Sequence, residues 1–109
     1  MRFWIFGNWT LGAPPSWQEV RGWRISFPDW PALTFFAHRD GKLWSLSEAA
    51  TGLAVLHSRK TKKDIVERAL KVLQGLEPGR LERDIERALR DHGSSPWVEL
   101  VKSQKKTMK

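Results

Sequence analysis

The chain has 109 residues, 40% of them hydrophobic and 28% charged, with no cysteine and a formal net charge of +7. That size and balance fit one globular domain and exclude wholesale disorder. The lack of cysteine excludes a disulfide scaffold and leaves the cytoplasm as the expected compartment.

Residues 3–18 carry no charge, but Gly7, Asn8, Gly12, Pro14 and Pro15 interrupt them. A membrane span or signal peptide needs an unbroken apolar run, so this stretch belongs to the folded domain and no membrane partner is expected. The opening "MRFWIFGNW" reads as a strand. "RGWRISF" reads as a second, with Trp23, Ile25 and Phe27 alternating against Arg24 and Ser26. "GAPPS" between them is a loop, and "PDWP" breaks the chain again.

The clearest local signal is the hairpin "ALTFFAHRDGKLWSLS". Asp40-Gly41 suits the two central positions of a type I′ turn. That turn would pair Arg39 with Lys42, Ala37 with Trp44 and Phe35 with Leu46. One face then holds Leu33, Phe35, Ala37, Trp44 and Leu46, apolar enough for a core. The other holds Thr34, Phe36, His38, Leu43, Ser45 and Ser47, a mixed set. "LAVLH" at 53–57 reads as a third antiparallel strand.

Helix one should start at an N-cap, Thr61, with Asp64 at the third position. Its stripe is Ile65, Val66, Ala69, Leu70, Val72 and Leu73, and Gly75 ends it. Helix two opens near Pro78, presents Leu81, Ile85, Ala88 and Leu89 on one face, and closes at Gly93. "SPWVELV" fits a short helix or a last strand. The expected architecture is α+β: an antiparallel sheet of three to five strands packed on two C-terminal helices. It forms a single domain over 1–101, with a basic flexible tail over 102–109.

The charge is local. Arg59, Lys60, Lys62 and Lys63 form one cluster, and Lys102, Lys105, Lys106 and Lys109 another, while the rest is nearly neutral. Cations at a helix start oppose its partial positive charge, which suggests that an anion sits among them. Local basicity suits phosphate or another acidic surface.

His38, His57 and His92 are far apart in sequence, and His38 and His57 read as strand-end surface residues. No metal-ligand spacing, phosphate loop or nucleophile elbow is present, so no enzyme activity, metal or cofactor is expected. Of seven tryptophans, Trp4, Trp23 and Trp44 lie in strand-like runs and should fill the core. Trp9, Trp17 and Trp30 lie beside Gly and Pro in loop-like sequence, where an exposed indole can anchor a partner.

Three antiparallel strands followed by a helix, over roughly 32–74, are similar to the meander of AP2-type domains and of the amino-terminal domains of tyrosine integrases. Double-stranded-RNA-binding domains add a leading helix to the same order. The resemblance implies a nucleic-acid-binding sheet, although the corresponding face here offers Thr34, Phe36, His38, Ser45 and Ser47 and no arginine. "WSLSEAATGLAVLHSRKTKKDIVERAL" also resembles a segment of short phage and mobile-element proteins, marked by Trp44, Thr51-Gly52 and the basic-Thr-Lys step at 60–62. That likeness implies no activity.

Two functions follow as expectations. The first is non-enzymatic binding of a DNA or RNA backbone by Arg59, Lys60, Lys62 and Lys63, assisted by Lys102, Lys105 and Lys106, with low sequence specificity. The second is a protein-interaction module, for instance a phage-type inhibitor docking an acidic or nucleic-acid-handling host protein through Trp9, Trp17 and Trp30. Exposed aromatics beside 59–63 would favour the first. An apolar patch on the opposite side would favour a protein partner or a homodimer.

Overall fold

The structure, a computed structural model, describes residues 1–7 and 11–107, with side chains as far as residue 103. Five strands run β1 (Arg2–Gly7), β2 (Ser16–Ile25), β3 (Phe35–Asp40), β4 (Leu43–Glu48) and β5 (Ala54–Arg59). Three helices follow, α1 (Lys62–Gln74), α2 (Arg80–His92) and α3 (Pro96–Thr107). The strands form one antiparallel meander in chain order, so the α+β class expected from the sequence is the class observed.

The β3–β4 register differs from the expected one. Asp40 pairs with Leu43, Arg39 with Trp44, Ala37 with Leu46 and Phe35 with Glu48. The central turn residues are therefore Gly41 and Lys42. Gly41 has φ +64° and Lys42 stays at negative φ, so glycine occupies the first central position, as a type II′ turn requires. The shift is two residues, and side chains alternate with period two, so the faces keep their assignment. A Cβ at Gly41 would meet open space, which leaves backbone conformation as the sole penalty. Gly41→Val should lower stability by about 1 kcal/mol or more, read from a urea melt, because a β-branched residue resists positive φ. An unchanged midpoint would contradict this turn.

The first face carries the main core. Phe35, Ala37 and Leu46 meet Ile65, Ala69 and Leu73, which recur every fourth residue of α1, with Phe27 and Leu81 completing the cluster. Trp44 is half-buried against it, on the side expected. Thr61 caps α1 as expected, its hydroxyl accepting the Asp64 N–H at 3.0 Å.

The second face is covered too, which the single-sided sheet expected from sequence did not anticipate. β2 is long because its first half pairs with β1 and its last residues, from Gly22, pair with β3. At Gly22 a Cβ would come within 2.9 Å of the Phe3 ring and 3.1 Å of the Phe36 ring. Those rings stack at 4.4 Å and 4°. A Cβ on Gly52, in the β4–β5 turn, would lie 3.1 Å from the Trp4 carbonyl and 3.3 Å from the Ile5 Cα. The β1–β2 hairpin therefore folds back across β3–β5, closing a second core of Phe3, Phe36 and Ala49. α3 seals its end through Trp97, 6.3 Å from Phe3. The chain after 101, expected as a flexible tail, continues α3 to Thr107.

Candidate nucleic-acid interface

The cations that dominate the sequence cluster lie at the β5–α1 junction, and two of the four are already engaged. Arg59 Nε donates to Asp64 Oδ2 at 2.7 Å, and Arg68 Nε lies 3.6 Å from Asp64 Oδ1. Hydrogen bonding from Arg59 is the main cause holding the Asp64 carboxyl below its ordinary pKa. The start of α1 therefore carries its own anion, Asp64, and its own cap, Thr61. That arrangement answers part of why cations gather here.

Lys62 places Nζ 5.3 Å from the centroid of Trp23. Trp23, expected in the core, is 41% exposed. Its ring lies 5.1 Å from that of Trp44, tilted by 59°. Arg39 in turn places its guanidinium carbon 5.7 Å from the Trp44 ring. Lys62 over Trp23, Trp23 against Trp44 and Arg39 over Trp44 thus form one contiguous set of two cations and two indoles. Lys60 and Lys63 are exposed beside it. Trp23 is outside the core because α1 begins at Lys62 and packs on β3, β4 and β5, so it does not roof that part of β2.

Other expected site residues are placed elsewhere. Trp17 is half-buried, edge-on to Phe6 at 4.9 Å and to His92 at 5.2 Å. Trp30 is half-buried against the main core. Both indoles serve intramolecular packing. Trp9 lies outside the described residues, as do the side chains of Lys105 and Lys106. Lys102 is on α3, which packs against β1, and its Nζ is 3.8 Å from Glu99. α3 covers the opposite face of the sheet from α1, so Lys102 is not part of the 59–63 cluster.

A cleft of about 450 Å³ lies between the β1–β2 hairpin and β3–β5. Ile5, Phe6 and Val20 line one wall, and His38, Ser45, Ser47 and His57 line the sheet side. Ser45 Oγ is 3.1 Å from His57 Nδ1, and Ser47 Oγ is 3.5 Å from His38 Nε2. His38 is 5% exposed, not a surface residue, because the folded-back hairpin covers it. Burial, with His57 nearby, pushes its pKa down, against the opposing pull of Asp40 and the Arg39 backbone. Asp40 also lines the cleft and acts on His38 through its charge. Among the described residues, no group of three His, Cys, Asp or Glu could hold a metal ion, and no helix is long and apolar enough to cross a membrane.

No family model, curated protein or solved structure matches the chain.

Proposed function

We propose that the protein binds nucleic acid without catalysing a reaction, holding the phosphate backbone at the β5–α1 junction with low sequence specificity. The observation that carries this reading is the exposed Trp23 beside Lys62, with Trp44 and Arg39 next in line. Cations that neutralise phosphate and aromatic faces that receive bases are the two elements such binding combines. Lys60, Lys62 and Lys63 supply the phosphate contacts and Arg39 extends them. Arg59 acts mainly by fixing the junction through Asp64. Lys102, Lys105 and Lys106 supply a separate and nonspecific backbone contact. A cytoplasmic location and a DNA or RNA partner go with this reading.

The protein-interaction alternative has less support, because Trp30 packs against the main core and Trp17 against Phe6 and His92.

Salt tests the proposal. On duplex DNA, log affinity should fall against log salt with a slope of about −0.9 per phosphate neutralised, and about −0.7 on a single strand. The triple variant Lys60→Gln, Lys62→Gln, Lys63→Gln should flatten that slope by roughly two to three units. Its melting temperature should stay close to that of the parent, since Lys60 and Lys63 are exposed and Lys62 gives up only its contact with the Trp23 ring. Failure of the parent protein to bind either DNA or RNA at low salt would end this reading.

A further inference from the structure

We infer that the nucleic acid is single-stranded and that one of its bases stacks on Trp23. The inference rests on the nucleic-acid reading above and narrows it to one class of substrate. In a duplex the base faces are already stacked on one another, and a protein meets only groove edges and phosphates. A ring on a strand can meet a base face only where that base is unpaired. Trp23 is such a ring. It lies within β2 rather than at the tip of a loop, so it is not built as a wedge to pry base steps apart.

Its surroundings fit the same occupant. An indole left 41% exposed on a sheet loses the burial that would stabilise it in the core. Trp44 flanks it at 5.1 Å with a 59° tilt, giving the aromatic surface a floor and a side wall. A cation lies over each ring, the Lys62 ammonium 5.3 Å from the Trp23 centroid and the Arg39 guanidinium carbon 5.7 Å from that of Trp44. A stacked base would take the place of the Lys62 ammonium over the indole and leave that cation to pair with the phosphate next to the base. The wider charge is complementary as well, with Lys60 and Lys63 exposed beside the patch. Stacking reads the π-face that every base has, which agrees with low sequence specificity.

Three probes of equal length separate the outcomes by fluorescence anisotropy at fixed low salt: an oligothymidylate, an abasic phosphodiester and a DNA duplex. The intact protein should bind oligothymidylate more tightly than either of the others. Trp23→Ala should weaken that binding roughly 5- to 150-fold, the range expected for one stacked base. It should leave abasic and duplex binding unchanged. Trp23→Phe, which keeps an aromatic face, should recover much of the loss, which mere misfolding would not allow. Equal affinity for the oligothymidylate and the abasic chain, or a Trp23→Ala loss shared by all three probes, would overturn the stacking inference while leaving phosphate binding standing. Tighter binding of the duplex would also overturn it. No binding to any probe would remove the nucleic-acid reading itself. Competition by polyglutamate as effective as by oligothymidylate would overturn the inference in favour of an acidic protein partner.

Discussion

Phe36→Ala should lower the free energy of unfolding by about 3–5 kcal/mol, the usual cost of truncating a fully buried aromatic residue. Phe36 is 0% exposed and lies flat on Phe3, with ring centroids 4.4 Å apart. Ala49 belongs to the same cluster, with Trp97 of α3 packed against it. The ring therefore joins three parts of the chain: the β1–β2 hairpin, the central sheet and the last helix. Relaxation into the space it leaves is limited, because Phe3 already meets Gly22 on one side and the hairpin is held there by paired backbone. The Gly22 N–H donates to the Met1 carbonyl at 3.0 Å, and the Met1 ammonium donates back to the Gly22 carbonyl at 3.3 Å. Urea melts of parent and variant check the number. A loss below about 1.5 kcal/mol would mean that the hairpin does not depend on this face of the sheet.

Phe36 also marks how far the sequence could be followed. Alternation placed it correctly on the opposite face from Phe35 and Ala37, and it survived a two-residue error in turn register because such a shift keeps parity. What covers Phe36 was not legible. Its cover comes from Phe3, 33 residues earlier in the chain, which packs on it where Gly22 leaves room for both rings. A glycine in "RGWRISF" reads as a weak spot in a strand, and no local pattern says that two rings will meet above it. The early start of β2 was hidden for a related reason. Trp17, Gln18, Glu19 and Val20 do not alternate, since this half of β2 pairs with β1 rather than lying over the main core.

The candidate site was half legible. A cluster of four cations is visible in any linear reading, and so is the Thr61–Asp64 cap that opens α1. The aromatic member was assigned to the core, since Trp23 alternates in phase with Ile25 and Phe27. Those two do join or abut the main core, so the phase was right. Exposure of Trp23 depends instead on where the helix layer ends, and that is set by α1 beginning at Lys62 after β5. Conversely, loop-like sequence made Trp17 and Trp30 look exposed, whereas each covers a nearby ring cluster. Proline and glycine mark a bend in the chain but say nothing about which side of it faces inward.

A single buried carboxylate organises the other end of the sheet, and Glu48→Ala should cost about 2–5 kcal/mol. Glu48 is 1% exposed at the end of β4. Its carboxylate accepts the Ala50 N–H, the Thr51 N–H at 3.1 Å and the Thr51 hydroxyl at 2.8 Å. The turn so fixed is where the helical half attaches. His92 Nε2 lies 3.0 Å from the Thr51 carbonyl oxygen, Ser95 Oγ donates to the Ala49 carbonyl at 2.6 Å, and the Ser95 N–H donates to the Ala50 carbonyl at 2.7 Å. Alanine would leave the donors at Ala50 and Thr51 without their acceptor in a largely water-free turn. Burial raises the Glu48 pKa more than these three hydrogen bonds lower it. The folded state therefore holds the proton more strongly than the unfolded chain. Its contribution to stability is fully present below the ordinary glutamate pKa of about 4.3 and declines as pH rises through the raised folded value. Glu48→Gln keeps the shape and has no charge to desolvate, so its stability relative to the parent should improve as pH rises across that window. Urea melts at a series of pH values give both results. A parent-minus-Gln difference that stays flat with pH would contradict the desolvated carboxylate, and a Glu48→Ala loss below about 1 kcal/mol would contradict its role in the turn.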